Sequence, residues 1–383
     1  MPGRSVRIAR IAGIPVGISP LWLIIVALIT WSLGAGYYPS EVHGITTLGS
    51  YALGLASALL LFASILAHEF GHAIVARRRG VQIEEIDLWL LGGVAQMRGE
   101  PKTAGDELHF ALAGPAVTAV VSALFVGLAV ALPGSAPTAL RALVDYQVQI
   151  NLLILGFNLV PAFPLDGGRV ARALLWRRTG DMAGATNTAA ALGRVFGYLL
   201  IAFGALLAFG GELGGLWFAL IGVFVVSAAT AERMHEEVIA AFTGVPAAEL
   251  MSQPAVSIPA ESTLSEAREY FGRYRYKAFP VTAGAGTAIG MLSIDHLTKT
   301  PRSRWQVTLA GDLADRDPAL LICGQEQVAH LLDQPAFVRI GRAAVIDHDG
   351  RPIGVVSLTD IERAIRAARL GNGAGGTASF TSR

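Results

Sequence analysis

Long apolar runs constrain the fold of this chain more than any other feature, and they are confined to roughly its first 230 residues. A helix needs about 20 predominantly apolar residues to cross a bilayer, and about six segments satisfy this requirement. The chain is 53% hydrophobic and 15% charged, whereas soluble domains are about 25% charged. We therefore predict a polytopic α-helical membrane protein with candidate spans at residues 18–38, 48–77, 107–132, 143–164, 188–209 and 212–231.

The arginines that flank these spans predict the orientation of the protein. Basic residues favour cytoplasmic segments, and with about six spans the flanking arginines fall almost entirely on one side. Only Arg141 lies on the opposite side. The N-terminus and the part after the last span are therefore predicted to be cytoplasmic, on the same side as Arg4, Arg7, Arg10, Arg77, Arg78, Arg79, Arg169, Arg172, Arg177, Arg178 and Arg233.

The second span contains the pentad His68-Glu69-Phe70-Gly71-His72. Two histidines four residues apart project from the same side of an α-helix and can bind one zinc ion, with the intervening glutamate placed to accept a proton from water. The alternative is a pair of ordinary buried histidines near a helix end. Ionisable groups within membrane helices are rare and usually functional, which favours the metal site.

A catalytic zinc ion takes three protein ligands and keeps one position open, so one ligand is missing. Cys323, the only cysteine, lies far away in the soluble part of the chain. Asp166 is the best candidate, because two prolines interrupt the apolar segment from Asn158 to Arg169. Irregular backbone at membrane depth is tolerated in the protein interior or beside a cavity. The alternative is a helix boundary, with Asp166 as a cap and Gly167-Gly168 as a turn.

These two motifs, in this order and on different spans, resemble those of the site-2 protease family of intramembrane zinc metalloproteases. The resemblance covers roughly Leu21 to Thr230, and Leu91-Gly92-Gly93-Val94-Ala95 and Ala113-Gly114-Pro115 are similar to secondary signatures of the family. It implies a zinc ion, one per chain, bound by His68, His72 and Asp166, with Glu69 as the general base. It also implies that substrate is bound by Asn158, Gly92 and Gly93.

The segment between the second and third spans predicts a membrane-associated β-hairpin. Ile86, Leu88 and Leu90 alternate with Asp87 and Trp89 as in a strand, and Gly92-Gly93 reads as a turn or a close backbone approach. An exposed strand edge there could pair with an unwound substrate by β-augmentation. The alternative is an amphipathic cytoplasmic loop.

An internal repeat dominates the sequence after Thr230. Phe279 to Leu297 aligns without gaps onto Ala343 to Ile361, and each copy reads as strand, turn, strand and helix. The pair resembles a soluble α/β tandem of CBS modules, which implies two packed repeats that can bind an adenine nucleotide. Thr359 and Asp360 match the family's ribose-contacting pattern, but the first repeat has Asp295-His296 at this position. A purely structural dimerisation module is the alternative.

These predictions divide the chain into a transmembrane zinc metalloprotease domain (1–231), a first CBS repeat (246–305), a second CBS repeat (306–370) and a disordered tail (371–383). The leading hypothesis is an intramembrane zinc endopeptidase in regulated intramembrane proteolysis. The resemblance implies a membrane-anchored protein substrate in the lipid bilayer, such as an anti-sigma factor or a tethered transcription factor, and a homodimer through the CBS repeats. A metal transporter or channel gated by the CBS pair is the main alternative, and a scaffold without catalytic activity is another. No basic run with interleaved aromatics indicates nucleic-acid binding.

Overall fold

A computed structural model describes residues 5–89, 92–98, 101, 103–212, 214–332 and 334–371 of the 383-residue chain. The predicted disordered tail, 371–383, lies outside the described residues except for its first residue. The chain divides into two compact units, Met1–Met234 and His235–Arg383. The first unit contains the long apolar helices and the second contains the CBS repeats.

Seven helices make up most of the described part of the first unit, and the last of them continues past Met234 into the second unit. They are α1 (Pro20–Glu41), α2 (Thr47–Arg78), α3 (Ala104–Ala131), α4 (Thr138–Asn158), α5 (Asp166–Thr179), α6 (Met182–Phe209) and α7 (Gly215–Phe242). Within the described residues, α1, α2, α3, α6 and α7 are long and apolar enough to cross a membrane. These helices correspond to five of the six candidate spans. The remaining candidate, 143–164, stays a prediction.

The fourth candidate span, 143–164, has different boundaries in the structure. Its helix, α4, begins at Thr138 and ends at Asn158, so it is long enough to cross but carries Asp145, Gln147 and Gln149 among its apolar residues. Irregular backbone follows up to Leu165, because the prolines in this stretch cannot donate the hydrogen bonds that a helix requires. Asp166 therefore begins a separate helix instead of ending the fourth span.

Small residues let α2 and α3 pack closely. A Cβ added to Gly71 of α2 would lie 2.8 Å from the backbone oxygen of Ala113 in α3, a distance that only glycine tolerates. Small residues at helix contacts are typical of membrane bundles, where close packing contributes to helix association.

Side-chain caps mark where these two helices begin. Thr46 accepts from the backbone N–H of Gly49 before α2, and Thr103 accepts from that of Asp106 before α3.

A four-stranded sheet accompanies the helices of the first unit. Its strands are β1 (Val6–Ile11), β2 (Ile14–Ile18), β3 (Gln82–Trp89) and β4 (Gly92–Arg98), in the spatial order β1-β2-β3-β4. The predicted hairpin is confirmed by the antiparallel pairing of β3 with β4, although residues 90 and 91, which join them, lie outside the described part. The N-terminal hairpin β1–β2, whose strand β2 pairs with β3 in parallel, was not anticipated.

The second unit has the repeated architecture that the sequence predicts. In the first repeat β5 (Ile258–Pro259), β6 (Ala278–Ala283) and β7 (Thr287–Ser293) form one sheet, and in the second β8 (Leu321–Cys323), β9 (Arg342–Ile346) and β10 (Pro352–Ser357) form another. The helices are α8 (Ala247–Leu250), α9 (Leu264–Tyr274), α10 (Ile294–Lys299), α11 (Ala310–Leu313), α12 (Val328–Leu332), α13 (Pro335–Ile340) and α14 (Leu358–Gly371).

Buried apolar side chains join the two repeats into one module. Ala278 and Met291 of the first repeat form a common cluster with Leu320, Ile340 and Ala344 of the second. Each repeat also has its own core, and a capping box begins α9, with Thr263 and Glu266 accepting from each other's backbone N–H groups. The predicted strand–turn–strand–helix order is confirmed in both copies.

Candidate metal centre

The structure brings His68 and His72 of α2 together with Asp166, the first residue of α5. The two Nε2 atoms are 3.1 Å apart, and the Oδ2 atom of Asp166 lies 3.0 Å from His68 Nε2 and 3.3 Å from His72 Nε2. Among the described residues, these three form the only group of potential metal ligands with such spacing. Both histidines are buried, and 13% of the Asp166 side chain is exposed.

The other nitrogen of each imidazole is held by α3. His68 Nδ1 lies 2.8 Å from the Thr118 hydroxyl, and His72 Nδ1 lies 2.8 Å from the Phe110 carbonyl oxygen. A carbonyl can only accept, so His72 carries its proton on Nδ1 and leaves Nε2 as a lone-pair donor. Contacts of this kind orient metal-binding histidines and select their tautomer.

A glycine of α3 leaves room in front of both histidines. A Cβ added to Gly114 would lie 2.2 Å from His72 Nε2 and 2.5 Å from His68 Nε2. Gly114 is four residues after Phe110 and four before Thr118, so all three lie along the same face of α3. This face therefore holds both rings, and the absence of a side chain at Gly114 lets them pack directly against the helix.

The donor set and its spacing fit a zinc ion. Ligand atoms about 2.0–2.1 Å from a tetrahedral zinc ion lie about 3.3 Å from one another, which matches the separations of 3.0–3.3 Å found here. Two imidazoles and one carboxylate are a ligand set of catalytic zinc sites, in which a fourth position is left for water or substrate.

Glu69 lies beside this cluster and faces β4. A Cβ added to Gly93 would lie 2.4 Å from Glu69 Cγ, so the glycine in β4 permits the close approach of the strand to this side chain. Gly92 has a φ of 143°, a conformation that favours glycine. Of the predicted glycine pair, Gly93 therefore lies directly against the candidate base, and Gly92 precedes it at the start of β4.

Asn158 precedes the irregular segment that leads to Asp166, and Arg169 follows Asp166 on α5. Asn158 is the last residue of α4 and is half-buried, and its side chain makes no hydrogen bond to any residue that the structure describes. Arg169 lies one turn after Asp166 on α5, with its guanidinium 5.5 Å from the centre of the Phe110 ring. That ring in turn packs 4.8 Å from the ring of His72.

The two CBS repeats differ at the predicted ribose-contacting position. In the second, the Asp360 carboxylate accepts hydrogen bonds from the Ser357 hydroxyl at 2.5 Å and from the Ser252 hydroxyl at 3.2 Å, and Thr359 is its neighbour in α14. In the first, His296 occupies the aligned place, and its Nδ1 accepts from the backbone N–H of Ser293 at 3.3 Å. A histidine side chain cannot supply the negative charge that Asp360 carries, and burial lowers the pKa of His296, which favours its neutral form.

The sequence did not identify the residues that hold the histidines. Thr118 and the Phe110 carbonyl have no local signature, whereas Ala113-Gly114-Pro115 was recognised as a motif without a stated role. The one available signal was the four-residue spacing of Phe110, Gly114 and Thr118, which becomes informative only once α3 is known to pack against α2.

Comparison with known proteins identifies a family for each of the two units. Residues 56–145 and 135–203 match Peptidase family M50, and residues 247–302 and 326–367 match the CBS domain. The chain is 36% identical to "Putative zinc metalloprotease Rip3" of Mycobacterium tuberculosis, covering 96% of this chain and 94% of that protein. It is 30% identical to "Putative zinc metalloprotease sll0528" of Synechocystis, covering 95% and 96%.

Among solved structures, the chain is similar to the site-2 protease from Methanocaldococcus jannaschii. The identity is 29%, the match covers 60% of this chain and 95% of that one, and the TM-score is 0.40. Fold and site together define a multi-pass membrane zinc metalloprotease with a C-terminal CBS pair. The chain belongs to Peptidase family M50, the site-2 proteases, as the sequence resemblance indicated.

Proposed function

We propose that the protein is an intramembrane endopeptidase in which His68, His72 and Asp166 hold one zinc ion and Glu69 is the general base. The spacing of the three ligand atoms carries this proposal. Zinc, when bound, supplies a Lewis acid that polarises water and the scissile carbonyl. Glu69 accepts a proton from the attacking water and then delivers it to the leaving amine nitrogen.

The residues around the cluster suggest how the chain presents its substrate. A membrane-spanning substrate is helical, and its backbone must unwind before a peptide bond can be attacked. We propose that the unwound segment adds to the edge of β4, where its backbone hydrogen bonds replace those of the helix. Gly93 then permits close approach beside Glu69, Gly92 also contacts the substrate, and the Asn158 amide at the end of α4 hydrogen-bonds to the bound peptide.

The direct test is cleavage in reconstituted membranes. Candidate single-span proteins, including anti-sigma factors and tethered transcription factors, are incorporated with the parent or with the Glu69→Gln variant. We expect the parent to cut within the membrane segment and Glu69→Gln to keep its zinc and lose cleavage. Glu41→Gln, the same chemical change at an exposed position in α1, is the matched control and should cut normally.

Two outcomes would contradict this proposal. Cleavage by Glu69→Gln at the parental rate would exclude Glu69 as the base. Zinc flux into sealed liposomes that is unaffected by Glu69→Gln, without cleavage of any substrate, would favour the metal transporter instead.

The proposed arrangement of domains is a protease domain over 1–231 and CBS repeats over 246–305 and 306–370, with the N-terminus and both repeats cytoplasmic.

We also propose that the second CBS repeat binds an adenine nucleotide, with Asp360 and Thr359 contacting the ribose. A carboxylate accepts hydrogen bonds from ribose hydroxyls, and the neutral imidazole of His296 does so less well, so the first repeat lacks an equivalent site. Titration of the full chain with AMP and ATP should show one site per chain. Asp360→Asn should weaken it, whereas the exposed Asp349→Asn should not.

Failure of the parent to bind any adenine nucleotide would support a structural dimerisation module. The proposed homodimer through the CBS repeats is tested separately, by the mass of the purified chain in detergent with and without residues 246–370. A dimer that persists after this deletion would exclude the CBS repeats as the interface.

A further inference from the structure

Apart from the ligand side chains themselves, the two helices that carry the candidate zinc ligands pack little against each other. Helix α2 holds His68 and His72 and helix α5 begins with Asp166, but α3 packs extensively against both of them. Since α3 also holds both imidazoles through Thr118 and the Phe110 carbonyl, it is the common frame of the cluster. The position of Asp166 relative to the histidines therefore depends on how α5 is fixed to α3.

A buried ion pair makes that connection. Arg172 of α5 donates from Nε to Glu107 Oε1 of α3 at 2.6 Å, and its Nη2 contacts the same carboxylate oxygen. The two side chains are only 1% and 0% exposed. Because Nε and Nη2 belong to one rigid planar group, their two contacts to the same oxygen restrict the orientation of the guanidinium as well as its distance.

Further contacts hold the Arg172 side chain in place. Its guanidinium lies 5.2 Å from the centre of the Phe163 ring, in the irregular segment just before Asp166. Its Nη1 lies 3.7 Å from Glu232 Oε1 of α7. Arg172 thus ties α5 to α3, to α7 and to the segment that leads into Asp166.

The position of Glu107 links this ion pair to the histidines. Glu107 lies three residues before Phe110 on α3, about one helical turn away and on the same face. Burying a charge pair is costly and often no more stabilising than apolar residues of similar size, so stability alone does not account for it. A requirement for fixed geometry between α3 and α5 does.

We infer that Glu107 and Arg172 are a positioning pair that holds Asp166 at ligand distance from His68 and His72. They act through the placement of α5 on α3 and not by binding the metal themselves. The inference rests on the proposed zinc ligands, and Asp166→Asn tests those ligands separately, because this change should abolish tight zinc binding while both members of the pair are intact.

The test measures zinc affinity of the full-length protein in detergent by competition with a chromophoric chelator. The main variant replaces both members, Glu107→Leu with Arg172→Met, so that no unpaired charge remains buried. We expect zinc affinity to fall about 10–100-fold, the range found when groups that orient metal ligands are removed. Cobalt substitution gives a second readout, since a displaced carboxylate changes the intensity and position of the visible bands of Co²⁺.

A nearby exposed ion pair provides the control. Asp106 pairs with Arg79 at 2.6 Å, and 24% and 45% of these side chains are exposed. Asp106→Asn should leave zinc affinity and the cobalt spectrum unchanged. Parental affinity and a parental cobalt spectrum in the folded double variant would overturn the inference and leave the pair a purely structural feature.

A third variant decides the question if the double variant does not fold. Arg172→Lys keeps the positive charge but loses the planar fork, and it should reduce zinc affinity at least several-fold. Zinc affinity equal to that of the parent in Arg172→Lys would then overturn the inference. If Asp166→Asn also bound zinc as the parent does, the ligand assignment itself would be wrong.

Discussion

Replacing Gly114 with alanine adds one methyl group to α3 at the point where this helix faces both histidines. The new Cβ would lie 2.2 Å from His72 Nε2 and 2.5 Å from His68 Nε2. Non-bonded contacts between heavy atoms are most favourable at about 3.5–4.0 Å, so the overlap is about 1 Å. Neither imidazole can turn away freely, because Thr118 and the Phe110 carbonyl hold the Nδ1 atoms.

The overlap can be relieved in two ways, and both weaken the metal centre. Separating α3 from α2 by about 1 Å strains a close-packed interface, at a typical cost of about 1–3 kcal/mol. Rotating an imidazole breaks its Nδ1 contact, and loss of such a contact typically lowers metal affinity about 10–100-fold. At 1.4 kcal/mol for each factor of ten, the two routes agree. We expect Gly114→Ala to bind zinc about 10–100-fold more weakly.

The assay is zinc titration against a chelator, with circular dichroism to verify that the helices are intact. Gly127→Ala is the matched control, because Gly127 lies on the same helix and an added Cβ there would meet nothing within 4 Å. This variant should bind zinc as the parent does. Parental zinc affinity in folded Gly114→Ala would refute the assigned geometry of α3 and the histidine pair.

Three further predictions follow from the same structure. Thr118→Val keeps the shape of the side chain but removes the hydroxyl at 2.8 Å from His68 Nδ1. Zinc affinity, measured by chelator competition, should therefore fall about 10-fold. An unchanged affinity would exclude a role for this contact. Gly93→Ala places a methyl group 2.4 Å from Glu69 Cγ. The variant should keep its full zinc content and cleave at least tenfold more slowly. Loss of zinc instead would contradict the position of β4 beside Glu69. Burial lowers the pKa of His296, so the folded state binds fewer protons than the unfolded state between that pKa and the ordinary value of about 6.5. Stability of the CBS unit should therefore fall as the pH drops from about 7 through this window, as measured by hydrogen exchange of α10 in the full chain, and His296→Gln should reduce the pH dependence.

The histidine half of the candidate metal centre follows from local sequence, and the aspartate half does not. A separation of four residues within a helix places His68 and His72 on one side in any fold. Asp166 lies 94 residues after His72, and no periodicity brings such distant residues together. The proline-interrupted segment made Asp166 the best candidate but left a helix boundary open as the alternative, and the resemblance to a known family favoured the ligand. The structure supplies the reason that the two motifs meet: α3 packs against both helices.

The sequence missed the N-terminal hairpin and the Glu107–Arg172 pair for two different physical reasons. The hairpin β1–β2 is short, and the apolar residues Val6, Ile8 and Ile11 of β1 are exposed. Strand β1 therefore has no buried face, which is the feature that an alternating apolar pattern predicts. The Glu107–Arg172 pair joins residues 65 positions apart, and either residue alone reads as an ordinary charge near a span end. The CBS repeats were predictable because the same local pattern occurs twice.

The most direct test of the central claim is zinc X-ray absorption spectroscopy of the purified full-length protein, with metal content measured on the same sample. The account predicts one zinc ion per chain, coordinated by two imidazole nitrogens and at least one carboxylate oxygen at about 2.0–2.1 Å, and loss of this signal in Asp166→Asn. A spectrum that is the same in Asp166→Asn as in the parent, or zinc bound without imidazole ligands, would contradict it.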